Sequence, residues 1–174
     1  MRRMTDYGLG HQIRSLVLPL IVVIVVPLLL VVRTNPFRIQ YQSQVPYLQI
    51  PVACLLIGIG LLLLVVTIRL FIRIGRGTLA PWDQTSKLVT EGVYGYVRNP
   101  MISGVSGIIL GESILLGSWI VLAWFFVVVI VNTIYFKLSE EPGLVKRFGN
   151  DYRRYRANVP IWISRLKAWS PNDK

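Results

Sequence analysis

Glu140 and Glu141 are adjacent carboxylates in a chain that has 8 acidic residues against 19 lysines and arginines. They follow an apolar run that covers residues 119–136. Carboxylates at the end of such a run are costly unless a cation lies beside them. We therefore expect a cationic partner, which Arg98, Lys137 or a cationic ligand could supply.

A second polar segment, residues 75–100, is dense in glycine, proline, aspartate and threonine. This composition predicts an ordered loop rather than a helix. The segment ends in Arg98, Asn99 and Pro100, where Asn99 suits the N-cap and Pro100 suits the first turn of a following helix. Arg98 suits either an anchor at the membrane surface or a functional site.

The two acids belong to the other polar segment, residues 137–165, which is predicted to form an amphipathic helix whose polar faces carry lysines and arginines. Its apolar residues recur at helical spacing: Leu144, Phe148, Tyr152 and Tyr155. Such a helix is typical of a segment that lies on the inner leaflet of a membrane. Trp162 and Trp169 follow it and are expected at the level of the lipid headgroups.

Four apolar runs must position these polar segments: residues 16–32, 51–68, 101–116 and 119–136. Each approaches the roughly 20 residues that a helix needs to cross a bilayer core. Backbone in lipid must also satisfy its own hydrogen bonds, which favours helices. We therefore predict an all-α integral membrane protein, a single domain over residues 1–174, with about four transmembrane helices.

The third of these runs carries two features of its own. Ser103, Gly107 and Gly111 form a stripe of small residues, which either lets helices approach closely or leaves room for a lipid chain. Glu112 is the one charge inside any of the four runs. Its place near the outer end favours a short reach to the membrane interface over a functional role.

The basic residues are distributed unevenly across the predicted membrane. All but two of the 19, Arg33 and Arg38, fall on the side that holds both termini. The positive-inside rule assigns that side to the cytoplasm. Segments 75–100 and 137–165 then share the cytoplasmic face as candidate catalytic segments. Topology and anionic headgroups also account for the net charge of +11, so we expect no nucleic-acid partner.

Several common kinds of site are excluded by composition. Cys54 and His11 are the only cysteine and histidine, which rules out an intrachain disulfide, a histidine-rich metal site and a Ser-His-Asp triad in the apolar body. We expect no metal. Gly58 and Gly60 lie inside an apolar run rather than between a strand and a helix, so they do not indicate a dinucleotide-binding loop.

Two motifs flank the predicted hairpin of the last two runs. They are LVTEGVYGYVRNPMISG at residues 88–104 and EEPGLVKRFGNDYRRYRANVP at residues 140–160. In this order and spacing they resemble the membrane methyltransferases grouped around isoprenylcysteine carboxyl methyltransferase and the phospholipid methyltransferases. The resemblance covers residues 75–165, and the first two runs match only as membrane helices. It implies that S-adenosylmethionine binds at the cytoplasmic end of the last hairpin.

The resemblance also implies which residues would bind this cofactor. The matching positions are Lys87, Leu88, Val89, Tyr94, Asn99, Pro100, Met101, Ile102 and Glu140. Asn99 stands where the family has histidine, and it still donates and accepts hydrogen bonds. Ile102 replaces a tyrosine and leaves only a backbone contact. A carboxylate such as Glu140 suits the cofactor's ammonium group, and an aromatic face such as Tyr94 suits its sulfonium cation.

Arg98 and Glu141 are the candidates for orienting the methyl acceptor. If the acceptor is a carboxylate, Arg98 can bind it through two hydrogen bonds and no base is needed. If it is an amine or a thiol, a proton must leave, and Glu141 could accept it. We expect a lipophilic acceptor that enters from the bilayer, and we infer no obligate protein partner.

Two other functions also fit parts of the sequence. One is an NADPH-dependent membrane reductase of the sterol-reductase type. Those proteins usually show Lys-Tyr-Gly and a tryptophan where this chain has Arg147-Phe148-Gly149 and Tyr152, so the residues present favour methyl transfer. The other is a non-catalytic scaffold whose basic tail binds anionic lipid. The paired acids and the ordered loop argue against it.

Overall fold

The computed structural model describes residues 19–33, 46–70, 87–162 and 164–170. Every regular element in these ranges is helical, which confirms the all-α class. The five main helices, in chain order, are α1 (Ile21–Arg33), α2 (Pro46–Leu70), α3 (Pro100–Leu116), α4 (Trp119–Tyr135) and α5 (Glu141–Asn158). Parts of the predicted segments, residues 16–18 and 75–86, lie outside the described residues, as do both chain ends.

The helices follow the predicted apolar runs closely, and two helical segments are long and apolar enough to cross a membrane. These are α2 and the longer helical segment that α4 begins. Helices α1 and α3 are shorter and also apolar. Large apolar side chains on α2 and α4, such as Leu62 and Ile130, point outward and stay exposed. Exposed apolar helices of this length belong in lipid rather than in water.

Helices α2 and α3 pack closely because glycines line their contact. A Cβ atom added to Gly60 would lie 2.6 Å from the carbonyl oxygen of Gly104. One added to Gly111 would lie 2.9 Å from the carbonyl oxygen of Ala53. The small-residue stripe therefore serves close helix approach, and Gly107 also faces α2. Gly104, and not Ser103 of the predicted stripe, makes the close contact with Gly60 of α2. The Ser103 hydroxyl donates instead to the carbonyl of Asn99 (3.0 Å).

Helices α3 and α4 form the predicted tight hairpin. Gly117 ends α3 in the left-handed region, at φ 57° and ψ 38°, where glycine carries no steric penalty. The Ser118 N–H then donates to the carbonyl of Ser113 at 3.0 Å. Behind the hairpin, the Trp124 Nε1–H donates to the Val22 carbonyl at 3.0 Å and joins α4 to α1. A buried apolar cluster fills the space between these helices: Val23, Val105, Ile108, Ile109, Val121 and Val128.

Helix α4 passes into α5 without leaving helical geometry. A π-helical turn, Phe136–Glu140, connects them. Gly149 then breaks the regular path of α5 with φ 53° and ψ −124°, a conformation that favours glycine. The chain thereby bends, so that the apolar face of α5 turns back onto the protein.

That apolar face is covered by protein, which corrects the expectation of a helix lying on the leaflet. Tyr152, Tyr155, Val159 and Trp169 form a second buried cluster, against which Leu88 and Phe148 pack. Trp169 is 8% exposed, so it lies in the protein interior and not at the headgroups. The reason is that the chain after α5 folds back, and burial of aromatic surface within the protein stabilises that path.

Candidate functional site

The two motifs converge at one end of the α3–α4 hairpin. Arg98, which lies just before α3, donates through Nη1 to Oε1 of Glu141 at the start of α5. The backbone N–H of Arg98 donates to the carbonyl of Pro160 at 2.9 Å. Leu88 packs against the aromatic cluster of α5. The loop before α3 and the segment after α4 therefore form one structural unit.

Glu141 is held by two guanidinium groups. Its second oxygen, Oε2, accepts from Nη1 of Arg156 at 3.3 Å. The side chains of Arg98 and Glu141 are 9% and 11% exposed, whereas that of Arg156 is 49% exposed. Arg98 also lies over the ring of Phe136, 5.9 Å from its centroid. The expected cationic partner of Glu141 is thus Arg98, joined by Arg156, and two positive charges meet one negative charge.

Two polar atoms beside this ion pair are enclosed by the described residues. They are Nε of Arg98 and the hydroxyl of Tyr152, and both are closed to solvent. Burial raises the pKa of Tyr152, and the Glu141 charge adds to that rise. A side-chain hydrogen bond with Arg98, together with the charges of Arg98 and Arg156, opposes that rise. The Tyr152 hydroxyl stays neutral and therefore keeps a proton to donate.

A second tyrosine of α5, Tyr155, holds the turn before α3 by a hydrogen bond. The hydroxyl of Tyr155 donates to the backbone carbonyl of Tyr94 at 2.8 Å. Tyr94 belongs to the short 3-10 turn Gly92–Gly95 and is itself buried. Burial raises the pKa of both phenols above their usual range. Tyr155 therefore remains a hydrogen-bond donor at physiological pH and holds the turn that carries Tyr94.

The C-terminal segment completes the support of this turn. The Trp169 N–H donates to the Gly95 carbonyl at 2.9 Å, and the Arg165 N–H donates to the Tyr96 carbonyl at 3.0 Å. A Cβ atom on Gly95 would lie 3.0 Å from the carbonyl oxygen of Trp169. The indole of Trp162 donates to the hydroxyl of Thr133 at 3.0 Å. The first two hydrogen bonds hold the turn against the segment after α5, and the third joins that segment to α4.

Asn99 and Pro100 take the structural role that their types predict. The Oδ1 atom of Asn99 accepts from the Ile102 N–H at 3.4 Å, and Pro100 opens α3. The Asn99 carbonyl also accepts from the Ser103 N–H at 3.1 Å. Met101 and Ile102 are half-buried on the first turn of α3. The helix cap thus occupies one of the polar groups of Asn99 and leaves its amide NH₂ for other contacts.

The adjacent acids have opposite environments. Glu141 is buried, whereas Glu140 is exposed and forms no ion pair with the described residues. Surrounding protein still removes solvent from one side of Glu140 and raises its pKa, while the charge of Arg147 opposes the rise. Lys87 is exposed, and Val89 is buried behind it. Glu140 is therefore the carboxylate that a cationic ligand can reach.

Three contributors to the site were missed at the level of sequence: Arg156, Tyr155 and the residues around Pro160 and Trp169. Arg156 and Tyr155 were placed only as parts of an amphipathic helix. The spacing of Glu141 and Arg156 carries no signal, since residues 15 apart lie about 22 Å apart along a straight helix, and the two side chains meet only because the helix is broken at Gly149. The backbone contacts of Pro160 and Trp169 carry no sequence signal.

Comparison with known proteins extends this picture. Residues 48–151, more than half of the chain, match the phospholipid methyltransferase family. The chain belongs to this family. The matched region includes the turn before α3, the hairpin and both acids, so membership confirms the resemblance carried by the two motifs.

One curated relative shares part of this region. The chain is 38% identical over 76 residues to protein-S-isoprenylcysteine O-methyltransferase from Schizosaccharomyces pombe. The alignment covers 44% of this chain and 32% of the relative. The chain thus spans less than half of the length of that relative.

Proposed function

We propose that this protein transfers a methyl group from S-adenosylmethionine to a lipophilic acceptor at the cytoplasmic face of a membrane. The observation that carries the proposal is the ion pair between Arg98 and Glu141. It joins the two family motifs at one end of an apolar hairpin. A polar site assembled at the end of membrane helices suits a reaction between a water-soluble donor and a lipid-soluble acceptor.

The described residues fit the chemistry of this cofactor. S-adenosylmethionine presents a sulfonium, an ammonium and a carboxylate group. Glu140 offers an exposed carboxylate to the ammonium group. Tyr94 offers an aromatic ring to the sulfonium cation. We assign the remaining contacts to the residues that the family resemblance implies: Lys87, Leu88, Val89, Asn99, Pro100, Met101 and Ile102.

The chain's own part in catalysis is to position the acceptor and exclude water. When bound, the cofactor supplies an electrophilic methyl group. Arg98 orients the acceptor, and Glu141 together with Phe136 holds the Arg98 guanidinium in place. Alignment of this kind accounts for much of the rate gain in a direct displacement.

The two hydrogen bonds that Glu141 accepts favour an acceptor whose methylation needs no base. Both of its oxygens accept hydrogen bonds from arginines. Glu141 would have to release one of them before it could accept a proton from an amine or a thiol. A carboxylate acceptor loses no proton on methylation, so Arg98 and Glu141 can stay paired throughout.

The proposed topology has α1 to α4 crossing the membrane as part of one domain, residues 1–174. Segments 75–100 and 137–165 then lie on the cytoplasmic side, together with both termini. The acceptor enters sideways from the bilayer. The exposed apolar side chains of α2 and α4 support this arrangement. So does the small size of the polar unit, which consists of the loop before α3 and the segment after α4.

A binding measurement on the protein purified in detergent tests the proposal. Glu140→Gln removes the charge but keeps the shape, and we expect its dissociation constant for S-adenosylmethionine to rise about tenfold to a hundredfold. Asp151→Asn, an exposed acid on α5, is the matched control and should leave binding unchanged. Calorimetry on both variants and the wild type provides the comparison.

The same measurement decides between methyl transfer and the reductase alternative. If the wild type binds NADPH and not S-adenosylmethionine, the methyltransferase proposal is wrong. If it binds S-adenosylmethionine, incubation with methyl-labelled cofactor and a lipid extract should yield a labelled lipophilic product. The identity of that product names the acceptor.

A further inference from the structure

Leu166 is an apolar residue that the fold leaves fully exposed outside the apolar helices. Its side chain is more exposed than any other large apolar side chain in the part of the chain that the structure describes. Close to it in sequence, Ala168 is half-buried and Trp169 is buried. The segment after α5 therefore turns its other apolar groups inward and Leu166 outward.

Two hydrogen bonds fix the depth of this segment relative to the apolar helices. The Trp162 indole donates to Thr133 near the end of α4, and the Arg165 N–H donates to the Tyr96 carbonyl just before α3. Helix α3 has 17 residues, which give it a length of about 25 Å. The hydrocarbon core of a bilayer is about 30 Å thick. With α3 across the membrane, the residues just before it, and Leu166 beside Arg165, therefore lie at the edge of that core.

The residues on either side of Leu166 are basic and form no ion pair with the described residues. Lys167 is exposed. Arg165 is half-buried, and its Nη1 donates to the carbonyl of Asn158 at 2.6 Å. An apolar side chain between two cations suits a surface of anionic lipid, because the apolar group enters the acyl boundary while the cations meet the headgroups. A single exposed leucine in water needs no explanation, so depth and charge together carry the argument.

We infer that the segment after α5 binds the cytoplasmic leaflet, with Leu166 in the acyl boundary and Arg165 and Lys167 beside anionic phospholipid headgroups. The inference rests on the proposed function, because α3 must cross the membrane for this segment to lie at that depth. It assigns a lipid contact to residues outside the reaction site. The N–H groups of Arg165 and Trp169 also hold the turn before α3, so this contact joins the position of that turn to the membrane surface.

Quenching of a fluorescent label by brominated lipid tests the contact. The full chain carries Cys54→Ala and one labelled cysteine, Ser164→Cys, which is an exposed position that leaves Leu166 in place. It is reconstituted in nanodiscs of phosphatidylcholine and phosphatidylserine, with bromine on the acyl chains of one lipid at a time. We expect acyl bromine to quench the label, and brominated phosphatidylserine to quench it more than brominated phosphatidylcholine does.

Two other labelled positions provide the limits of the scale. Leu62→Cys, on the exposed apolar face of α2, should be quenched fully. Asp151→Cys, which replaces an exposed acid of α5, should be quenched least, because a native carboxylate avoids an anionic leaflet. If Ser164→Cys matches Asp151→Cys while Leu62→Cys is quenched, the inference alone is wrong. If Leu62→Cys is not quenched, the proposed topology is wrong and the inference falls with it.

Substitutions beside the label assign the contact to particular side chains. Leu166→Glu should reduce quenching of the Ser164→Cys label to the level of Asp151→Cys, and Leu166→Ile is the matched control that should keep it. Lys167→Gln should lower the preference for brominated phosphatidylserine about fivefold, the contribution of one basic residue near an anionic surface. All three should leave the melting temperature in detergent unchanged, because both side chains are exposed. Quenching that Leu166→Glu does not change would overturn the inference.

Discussion

The adjacent acids Glu140 and Glu141 have different environments at the start of α5. Successive residues of a helix point about 100° apart, so Glu141 turns inward to Arg98 and Arg156 while Glu140 stays exposed. The buried acid stabilises the meeting of two motifs. The exposed acid remains available to a cationic ligand. A buried, ion-paired acid and an exposed acid are therefore adjacent in the sequence.

Glu141→Gln should destabilise the protein strongly. It leaves the buried Arg98 guanidinium without its carboxylate, and breaking one side of a buried ion pair costs about 3–5 kcal/mol. Glu140→Gln is the matched control, and a surface change of this kind should alter the free energy of unfolding by less than about 0.5 kcal/mol. Unfolding in detergent, followed by circular dichroism, measures both.

A double variant checks the cause of that loss. Arg98→Leu combined with Glu141→Leu removes both charges, so it should recover part of the stability that Glu141→Gln loses. Equal stabilities for Glu140→Gln and Glu141→Gln would show that the ion pair does not hold the two motifs together.

The glycine-lined contact between α2 and α3 sets the position of the site at the level of elements. Backbones meet where Gly60 faces Gly104. The far end of α2 reaches the turn before α3, since a Cβ on Gly92 would lie 3.0 Å from Leu70. Close approach of the helices thus determines where the turn that carries Tyr94 lies.

Gly60→Ala should destabilise this contact, because its Cβ would lie 2.6 Å from the Gly104 carbonyl oxygen. Overpacking of this kind costs about 1–3 kcal/mol. Gly58→Ala is the matched control two residues away, where a Cβ has no neighbour within 4 Å. It should be neutral or stabilise by up to about 1 kcal/mol. Melting temperatures in detergent compare them, and equal values would contradict the close packing.

On the scale of the whole molecule, the apolar body and the polar unit are joined at one end of the hairpin. Arg98, Glu141 and the C-terminal segment all lie at the end of α3 opposite Gly117. In the topology that we propose, the basic residues are concentrated on the same side, and the positive-inside rule assigns that side to the cytoplasm. The turn at Gly117 then faces the opposite side of the membrane.

Cysteine labelling tests this topology. Cys54 is replaced by alanine, and single cysteines are introduced as Lys146→Cys on α5 and Trp119→Cys beside the hairpin turn, both of which are exposed positions. A membrane-impermeant maleimide applied to the outside of intact cells should label Trp119→Cys only. Lys146→Cys should react only after the membrane is opened. Labelling of both from the same side would contradict the proposed topology.

Local chemistry allowed the helices and their ends to be predicted from the sequence. The apolar runs anticipated α2, α3 and α4 closely, because a long apolar run has few alternatives to a helix. Asn99 with Pro100 anticipated the start of α3, because caps depend on neighbouring residues. The two motifs likewise anticipated the family, and Arg98 was a candidate partner of the acids.

Only the tertiary structure decided which groups meet within the site. Arg98 and Glu141 are 43 residues apart, and hydropathy gives no information about which acid turns inward. The aromatic face of the expected surface helix is covered by protein because the chain after α5 folds back and packs Trp169 against it. The enclosure of the Tyr152 hydroxyl beside Arg98 is visible only once the packing is known. A span or a cap depends on residues near in sequence, whereas an ion pair, a covered face and an enclosed donor depend on how distant segments pack.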